Sequence, residues 1–160
     1  MELLLNQRYE RVRNVDYNKA KEIQGEISYS QAVAMFLDIS ALIYKKQSED
    51  ETPLSIPLKS IRITDDGVFT ARFEQLFSVK DGTVFVEQPY QKYDGDAPEV
   101  KSQDSLPAKF TTSVPYYSLC NSILEAMHMK DKIEIDETKL YYALERILDR
   151  EPSERFVLFI

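Results

Sequence analysis

The chain has 160 residues, of which 43% are hydrophobic and 29% charged, a balance typical of one globular domain with a substantial core. Its formal net charge of −7 repels phosphate backbones, and its single cysteine, Cys120, excludes an intrachain disulfide framework. No apolar run is long enough to span a bilayer. These features predict a cytoplasmic protein without a membrane span and without a nucleic-acid partner.

Residues 1–27 are charged and weakly periodic, and we expect them to form an N-terminal arm or helix before a main domain at residues 28–160. A long helix is predicted from Ser28 onward, because Ser28 and Gln31 match a capping box and apolar residues follow at helical spacing. The apolar stripe is wide, which indicates a helix buried on most sides.

Two β-hairpins are predicted next. In the first, apolar and polar residues alternate before a turn at Asp66-Gly67, and the second turns at Asp81-Gly82. Residues 88–112 contain three prolines and little periodicity, so they are predicted to form a long loop. Loops of this length in compact domains are usually functional or disordered.

Two further helices complete the predicted order. The first begins near Ser113, with Pro115 in its first turn, and continues to about Met129. The second runs from about Asp136 to Asp149, and an apolar tail, RFVLFI, ends the sequence. The residues of this second helix that are predicted to face inward are Leu140, Leu144, Ile147 and Leu148. Together these elements predict a mostly helical α+β domain with a small sheet on one side.

The sequence offers few groups for catalysis. Cys120 and His128 are the only thiol and imidazole, and they lie about 12 Å apart along one predicted helix, too far for a dyad. One cysteine and one histidine exclude the common zinc patterns. The acidic pairs at Asp65-Asp66 and in Asp94–Asp96 lack the ligand spacing of an EF-hand and are typical of turns. No metal, cofactor or enzyme activity is therefore predicted.

Four segments occur in the same order as motifs of protein kinases. SIRITDDGVFTARF resembles the stretch leading into the DFG motif, YDGDAPEV the APE motif, VPYYSLCNSILEAM the helix that follows, and LDREPSERF the final D-P-x-x-R element. The match covers about residues 28–156 and resembles a kinase large lobe without its small lobe. It is most similar to the kinase non-catalytic C-lobe (KIND) family, which implies a mostly helical lobe with one or two short β-hairpins.

The departures from the kinase pattern imply a pseudokinase without phosphoryl-transfer chemistry. Ser55 stands at the position of the catalytic aspartate, Ser60 at the metal-binding asparagine, Arg72 at the DFG aspartate and Glu74 at its glycine. Pro115 replaces the helix aspartate that steadies the catalytic loop. The resemblance implies a non-catalytic protein–protein interaction module or scaffold, in signalling or assembly, that binds a peptide or helix of a partner.

Other functions stay open. The chain is alternatively a nucleotide-responsive regulator or an enzyme with non-kinase chemistry, or a small acidic chaperone or accessory subunit. A lobe without its companion leaves an apolar shelf over the first long helix. Residues 1–27, a partner or a second copy of the chain is expected to cover that shelf.

Two sets of site residues are predicted. Tyr90 and Tyr93 are large aromatics in the predicted loop, and we expect them to anchor a protein partner at residues 88–105, so that truncating both leaves folding intact. Arg155 follows the helix-ending Pro152 and is expected to point inward. The kinase resemblance implies that it pairs with Glu99, and a bidentate carboxylate suits a guanidinium in this position.

Overall fold

The computed structural model describes residues 2–129 and 138–155. Five α-helices lie in these ranges: α1 (Glu2–Val12), α2 (Tyr29–Ser48), α3 (Pro98–Ser102), α4 (Val114–Ala126) and α5 (Lys139–Ile147). Seven β-strands lie there too: β1 (Lys21–Glu22), β2 (Glu51–Thr52), β3 (Ile61–Ile63), β4 (Phe69–Ala71), β5 (Phe77–Lys80), β6 (Thr83–Val86) and β7 (Ala108–Thr111). Single 3₁₀ turns occur at Tyr17–Lys19, Leu58–Ser60 and Pro152–Glu154.

The strands form two antiparallel sheets. The first has the order β1-β3-β4 and the second the order β2-β5-β6-β7. Both predicted hairpins are present. In the second, Lys80 pairs with Thr83 across Asp81 and Gly82, whose φ angles of 52° and 74° are those of a two-residue turn.

The prediction of a mostly helical, kinase-like large lobe with one or two short hairpins is wrong. The second sheet recruits β2 from the polar stretch after α2 and β7 from the predicted long loop. The same loop also contains α3. In β7, Ala108 and Phe110 are buried while Lys109 and Thr111 are exposed, a short period-two pattern that a proline-rich context concealed. The chain is an α+β domain with two antiparallel sheets.

Two clusters of buried apolar side chains hold these elements together. The larger one joins α2, α4 and α5 to the first sheet and includes Met35, Ile39, Phe69, Leu119, Ile123 and Leu144. The smaller one lies between the second sheet and α3 and includes Val84, Val86, Val100 and Phe110.

Helix α2 begins as predicted. The Ser28 hydroxyl accepts from the Gln31 N–H at 3.2 Å, and the Gln31 side chain accepts from the Ser28 N–H at 2.9 Å. This capping box satisfies two N–H groups that the first turn of a helix leaves without partners.

Helix α1 packs against α2 through a buried carboxylate. Asp38 is fully buried on α2, where it accepts from Arg8 Nη1 of α1 at 3.1 Å and from the Phe69 N–H of β4 at 3.0 Å. Burial raises the pKa of the Asp38 carboxyl, and the Phe69 N–H and the Arg8 charge oppose that rise. One side chain therefore ties the N-terminal segment and an edge strand to the central helix.

The last helix follows its predicted apolar pattern. Leu140, Leu144 and Ile147 of α5 are buried, and the Thr138 hydroxyl caps its first turn by accepting from the Tyr141 N–H at 3.0 Å. The predicted start of this helix at Asp136 and the apolar tail after Arg155 lie outside the described residues. In the part of the chain that the structure describes, no helix has the length and apolar character needed to cross a membrane.

Candidate functional site

A groove with a volume of about 600 Å³ opens along residues 72–77, which lead from β4 of the first sheet to β5 of the second. Three tyrosines line it, Tyr17, Tyr90 and Tyr93, and we call it the tyrosine groove. Three segments of the chain supply the rest of the lining together with Tyr17: residues 53–60, residues 72–77 and residues 90–93. Since these segments are far apart in the sequence, the groove exists only in the folded protein.

The floor of the groove is fastened to helix α4. The Ile56 N–H donates to Ser118 Oγ at 2.8 Å, and the Ser122 hydroxyl donates to the Ile56 carbonyl. Ser118 and Ser122 are four residues apart, so they lie on the same face of α4. These two bonds hold the extended segment at residues 53–57 in place without regular secondary structure.

A buried carboxylate positions the opposite wall. Asp96 is 1% exposed, and it accepts from the Tyr93 N–H at 2.9 Å and from the Ser118 hydroxyl at 3.4 Å. Burial raises the pKa of the Asp96 carboxyl. The Ser55 hydroxyl, the Tyr93 N–H and Ser118 oppose that rise. Ser55 is near enough to affect the carboxylate, although its hydroxyl forms no hydrogen bond within the described residues. Asp96 therefore links Tyr93 to the same helix that holds the floor.

An arginine–tyrosine cluster forms one end of the groove. Arg62 pairs with Thr70 across β3 and β4, and the Arg72 N–H continues this ladder by donating to the Ser60 carbonyl at 3.1 Å. Arg72 is two residues after Thr70, so Arg62 and Arg72 share one face of the ladder. Their guanidinium carbons lie 4.2 Å and 4.5 Å from the centre of the Tyr17 ring.

Tyr90 belongs to the second core as well as to the groove. Its ring makes edge-on contacts with Phe77 and Phe110, at centroid distances of 6.4 Å and 6.2 Å. Its hydroxyl donates to the Val100 carbonyl at 2.8 Å. The sequence led us to expect that Tyr90 can be truncated without loss of stability. These contacts lead us instead to expect that truncation of Tyr90 destabilises the protein. Whether it anchors a partner stays a prediction.

Tyr93 is less constrained. It is half-buried, and Lys59 Nζ lies 5.2 Å from the centre of its ring. This distance is typical of a cation–π contact, which places the Lys59 charge over the aromatic wall. Tyr93 can therefore present its ring to a ligand while its backbone stays fixed by Asp96.

The structure brings together most of the residues singled out in the sequence. Ser55, Ser60, Arg72 and Glu74 line the tyrosine groove, as do Tyr90 and Tyr93. Pro115 lies apart from it, buried in the first turn of α4. Ser113 precedes this turn as expected, but its side chain caps no helix N–H.

Arg155 lies outside the groove and contacts Glu99, the partner chosen from the sequence. Its remaining donors are also used: Nε donates to the Asp149 carbonyl at 2.7 Å, Nη1 to Ser113 Oγ at 3.1 Å and Nη2 to the Arg150 carbonyl at 3.3 Å. A guanidinium has five N–H groups, so all are accounted for. This cluster joins α3, the start of α4 and the chain after α5.

Sequence reasoning missed Tyr17 and Lys59 of the groove, and it missed Arg62 of the arginine–tyrosine cluster beside it. Arg62 had a usable signal, because it alternates with Ile61 and Ile63 and must therefore face away from the core. Tyr17 and Lys59 had none, since each lies in a short 3₁₀ turn.

The thiol and imidazole lie outside the lining. Cys120 is fully buried in the larger core, and His128 is exposed just after α4 with a φ angle of 56°. Within residues 2–129 and 138–155, no cluster of three histidine, cysteine or acidic side chains has the arrangement of a metal site.

The chain matches no protein-family model, and no curated protein matches it with significant similarity. The geometry of the groove is therefore the main evidence on function.

Proposed function

We propose that the protein is a non-catalytic protein-interaction module whose tyrosine groove holds a peptide segment of a partner protein. The observation that carries the proposal is an open groove of about 600 Å³ walled by three tyrosines. This volume is within the roughly 300–1,000 Å³ of typical ligand sites. Tyrosine is favoured at protein interfaces because it buries a large area at a low cost in conformational entropy.

The polar groups of the groove suit a peptide. Gln75 and Gln91 contribute amides to the lining, and an amide can donate to a backbone carbonyl and accept from a backbone N–H. Ser55 and Ser60 add hydroxyls to the same lining. A peptide therefore has partners for its main chain as well as aromatic surface for its side chains.

A role as a scaffold in signalling or assembly and a cytoplasmic location belong to the same proposal. The burial of Cys120 is compatible with a reducing compartment. A nucleotide-responsive regulator would also use aromatic rings and cations, so ATP is the informative competitor in any binding assay. No contact in the described residues favours a chaperone over a peptide-binding module.

A blocked-groove experiment tests the proposal. A phage-displayed peptide library is selected on the purified protein, and enriched peptides are then measured against a variant with the groove filled. Gln91→Cys places a thiol on an exposed lining position, where a bulky maleimide can be attached, while the buried Cys120 should not react. Lys80→Cys, on the exposed end of β5 outside the tyrosine groove, is the matched control.

We expect labelling at residue 91 to abolish peptide binding and labelling at residue 80 to leave it unchanged. Equal binding by both labelled proteins would place the peptide elsewhere, and failure to enrich any peptide would remove the basis of the proposal.

A further inference from the structure

The charged residues of the groove have no ion-pair partner in the part of the chain that the structure describes. Lys59, Arg72 and Glu74 are the charged members of the lining, and within the described residues none of them forms a salt bridge. Two cations therefore face one carboxylate in a protein whose 27 acidic residues outnumber its 20 basic ones. A locally cationic groove in an acidic chain favours an anionic ligand.

Arg72 is oriented but not neutralised. Its guanidinium stacks on Tyr17, and its Nη2 donates to the side-chain oxygen of Asn18 at 3.3 Å. Both contacts involve neutral groups, so the charge is kept and the side chain loses little further freedom on binding. A stacked guanidinium leaves its N–H edge available, and that edge matches a carboxylate in a two-bond arrangement.

Arg62 contacts the same tyrosine ring as Arg72. Its Nη1 donates to the Tyr17 carbonyl at 3.0 Å, and its guanidinium contacts the same ring at 4.2 Å. Its buried Nε has no hydrogen-bond partner in the described part of the chain. Two guanidinium groups thus contact one ring, and neither forms a salt bridge within the described residues, so the local positive potential is higher than Arg72 alone would produce.

From these contacts we infer that the tyrosine groove recognises an acidic peptide segment, with an aspartate or glutamate side chain bound by Arg72 and Lys59 and with apolar neighbours on the tyrosine walls. The inference rests on the proposed function and specifies its ligand. A peptide is favoured over nucleic acid or a lipid surface, because a net charge of −7 repels extended phosphate arrays.

Glu74 allows a specific test of the inference, because it lies in the same lining as Arg72 and carries the opposite charge. An acidic ligand is repelled by Glu74 and attracted by Arg72. Arg72→Gln and Glu74→Gln should therefore change its affinity in opposite directions, which a general loss of structure cannot do. Lys80→Gln removes an exposed cation outside the tyrosine groove and serves as the matched control.

The test uses four fluorescein-labelled octapeptides that differ only in their two central residues, which are glutamate, glutamine, lysine or phosphoserine, each pair flanked by tyrosines. Affinities are measured by fluorescence anisotropy at low and high sodium chloride, after circular dichroism shows that each variant is folded. We expect the glutamate peptide to bind best and to lose affinity at high salt.

Arg72→Gln should lower the affinity for the glutamate peptide by about fivefold, which is the upper range for an exposed ion pair. Glu74→Gln should raise that affinity by about twofold or more. Lys80→Gln should leave it unchanged. Equal binding of the glutamate and glutamine peptides would overturn the acidic specificity and, if labelling at residue 91 still blocks both, leave the peptide module standing. A phosphoserine peptide that binds at least tenfold tighter would overturn the carboxylate as the ligand. Absence of binding by every peptide, including those enriched from the library, would overturn both proposals.

Discussion

Arg155 and Glu99 meet end to end, with Nη1 2.6 Å from Oε2 and Nη2 2.8 Å from Oε1. The Arg155 side chain is fully buried, whereas the Glu99 side chain is 23% exposed. This two-bond pair joins positions 56 residues apart and fastens the short helix α3 to the chain after α5. The geometry is that of a structural ion pair and not of a ligand site.

The first prediction concerns the strength of this pair. Arg155→Ala should lower the free energy of unfolding by about 3 kcal/mol or more, because it strands a partly buried carboxylate. Glu99→Ala should also be destabilising, since it leaves a buried guanidinium without a counter-charge. The double variant should lose clearly less than the sum of the two. Urea unfolding of the four proteins measures the difference.

The exposed pair of Lys21 and Asp65 is the control for this cycle. Its side chains are 73% and 88% exposed, so its removal should change stability little. Additive effects of Arg155→Ala and Glu99→Ala would contradict the structural role of the contact.

The second prediction separates the two tyrosines of the predicted partner site. Tyr90→Ala should destabilise the protein by about 3 kcal/mol, because it removes a ring packed between Phe77 and Phe110. Tyr93→Ala should change stability by no more than about 0.5 kcal/mol and still weaken peptide binding. Thermal unfolding and anisotropy on the same samples distinguish these outcomes. Unchanged peptide affinity in a folded Tyr93→Ala variant would remove Tyr93 from the binding surface.

The third prediction is a pH dependence at Asp96. Burial is the main influence that raises the pKa of this carboxyl above its ordinary value of 3.8. The folded protein then holds the proton more tightly than the unfolded chain, so the stability that Asp96 contributes is complete below pH 3.8 and is lost as the pH rises through the folded pKa. Relative to Asp96→Asn, the wild-type protein should therefore become less stable over this interval.

Asp66 provides a control of opposite sign. A hydrogen bond from Thr64 lowers the pKa of the exposed Asp66 carboxyl, so its contribution is present above its ordinary pKa and is lost as the pH falls. Urea unfolding between about pH 2 and pH 7 compares each asparagine variant with the wild type, because the Asp66 contribution is lost below its ordinary pKa of 3.8. If the stability of the wild-type protein relative to Asp96→Asn increased with pH, burial would not raise the pKa of the Asp96 carboxyl.

The fourth prediction is that ATP produces no stabilisation that requires magnesium. Magnesium is bound through carboxylates and phosphates, and among the described residues Glu74 is the single carboxylate of the groove lining. Thermal unfolding with ATP, with and without magnesium, checks this expectation. A ligand at 100 times its Kd would add about 2.7 kcal/mol of stability, so a magnesium-dependent rise of several degrees would favour the nucleotide-responsive alternative.

The local elements of this protein were accessible from the sequence. The start of α2 follows from Ser28 and Gln31, and the β5–β6 turn follows from Asp81 and Gly82. Each depends on residues within one turn of the chain, so neighbouring side chains determine the outcome. The inward residues of α5 were identified for the same reason, because a helix repeats its face every few residues.

The tertiary structure alone decided the second sheet and the groove. β2 has two residues and β7 four, and strands this short are stabilised by distant partners and not by their own composition. Asp38 and Asp96 are buried because groups elsewhere in the fold supply their hydrogen bonds. No pattern in the neighbouring sequence predicts that burial. The tyrosine groove has both Tyr17 and Tyr93 in its lining, and residues so far apart in the sequence come together only in the folded chain.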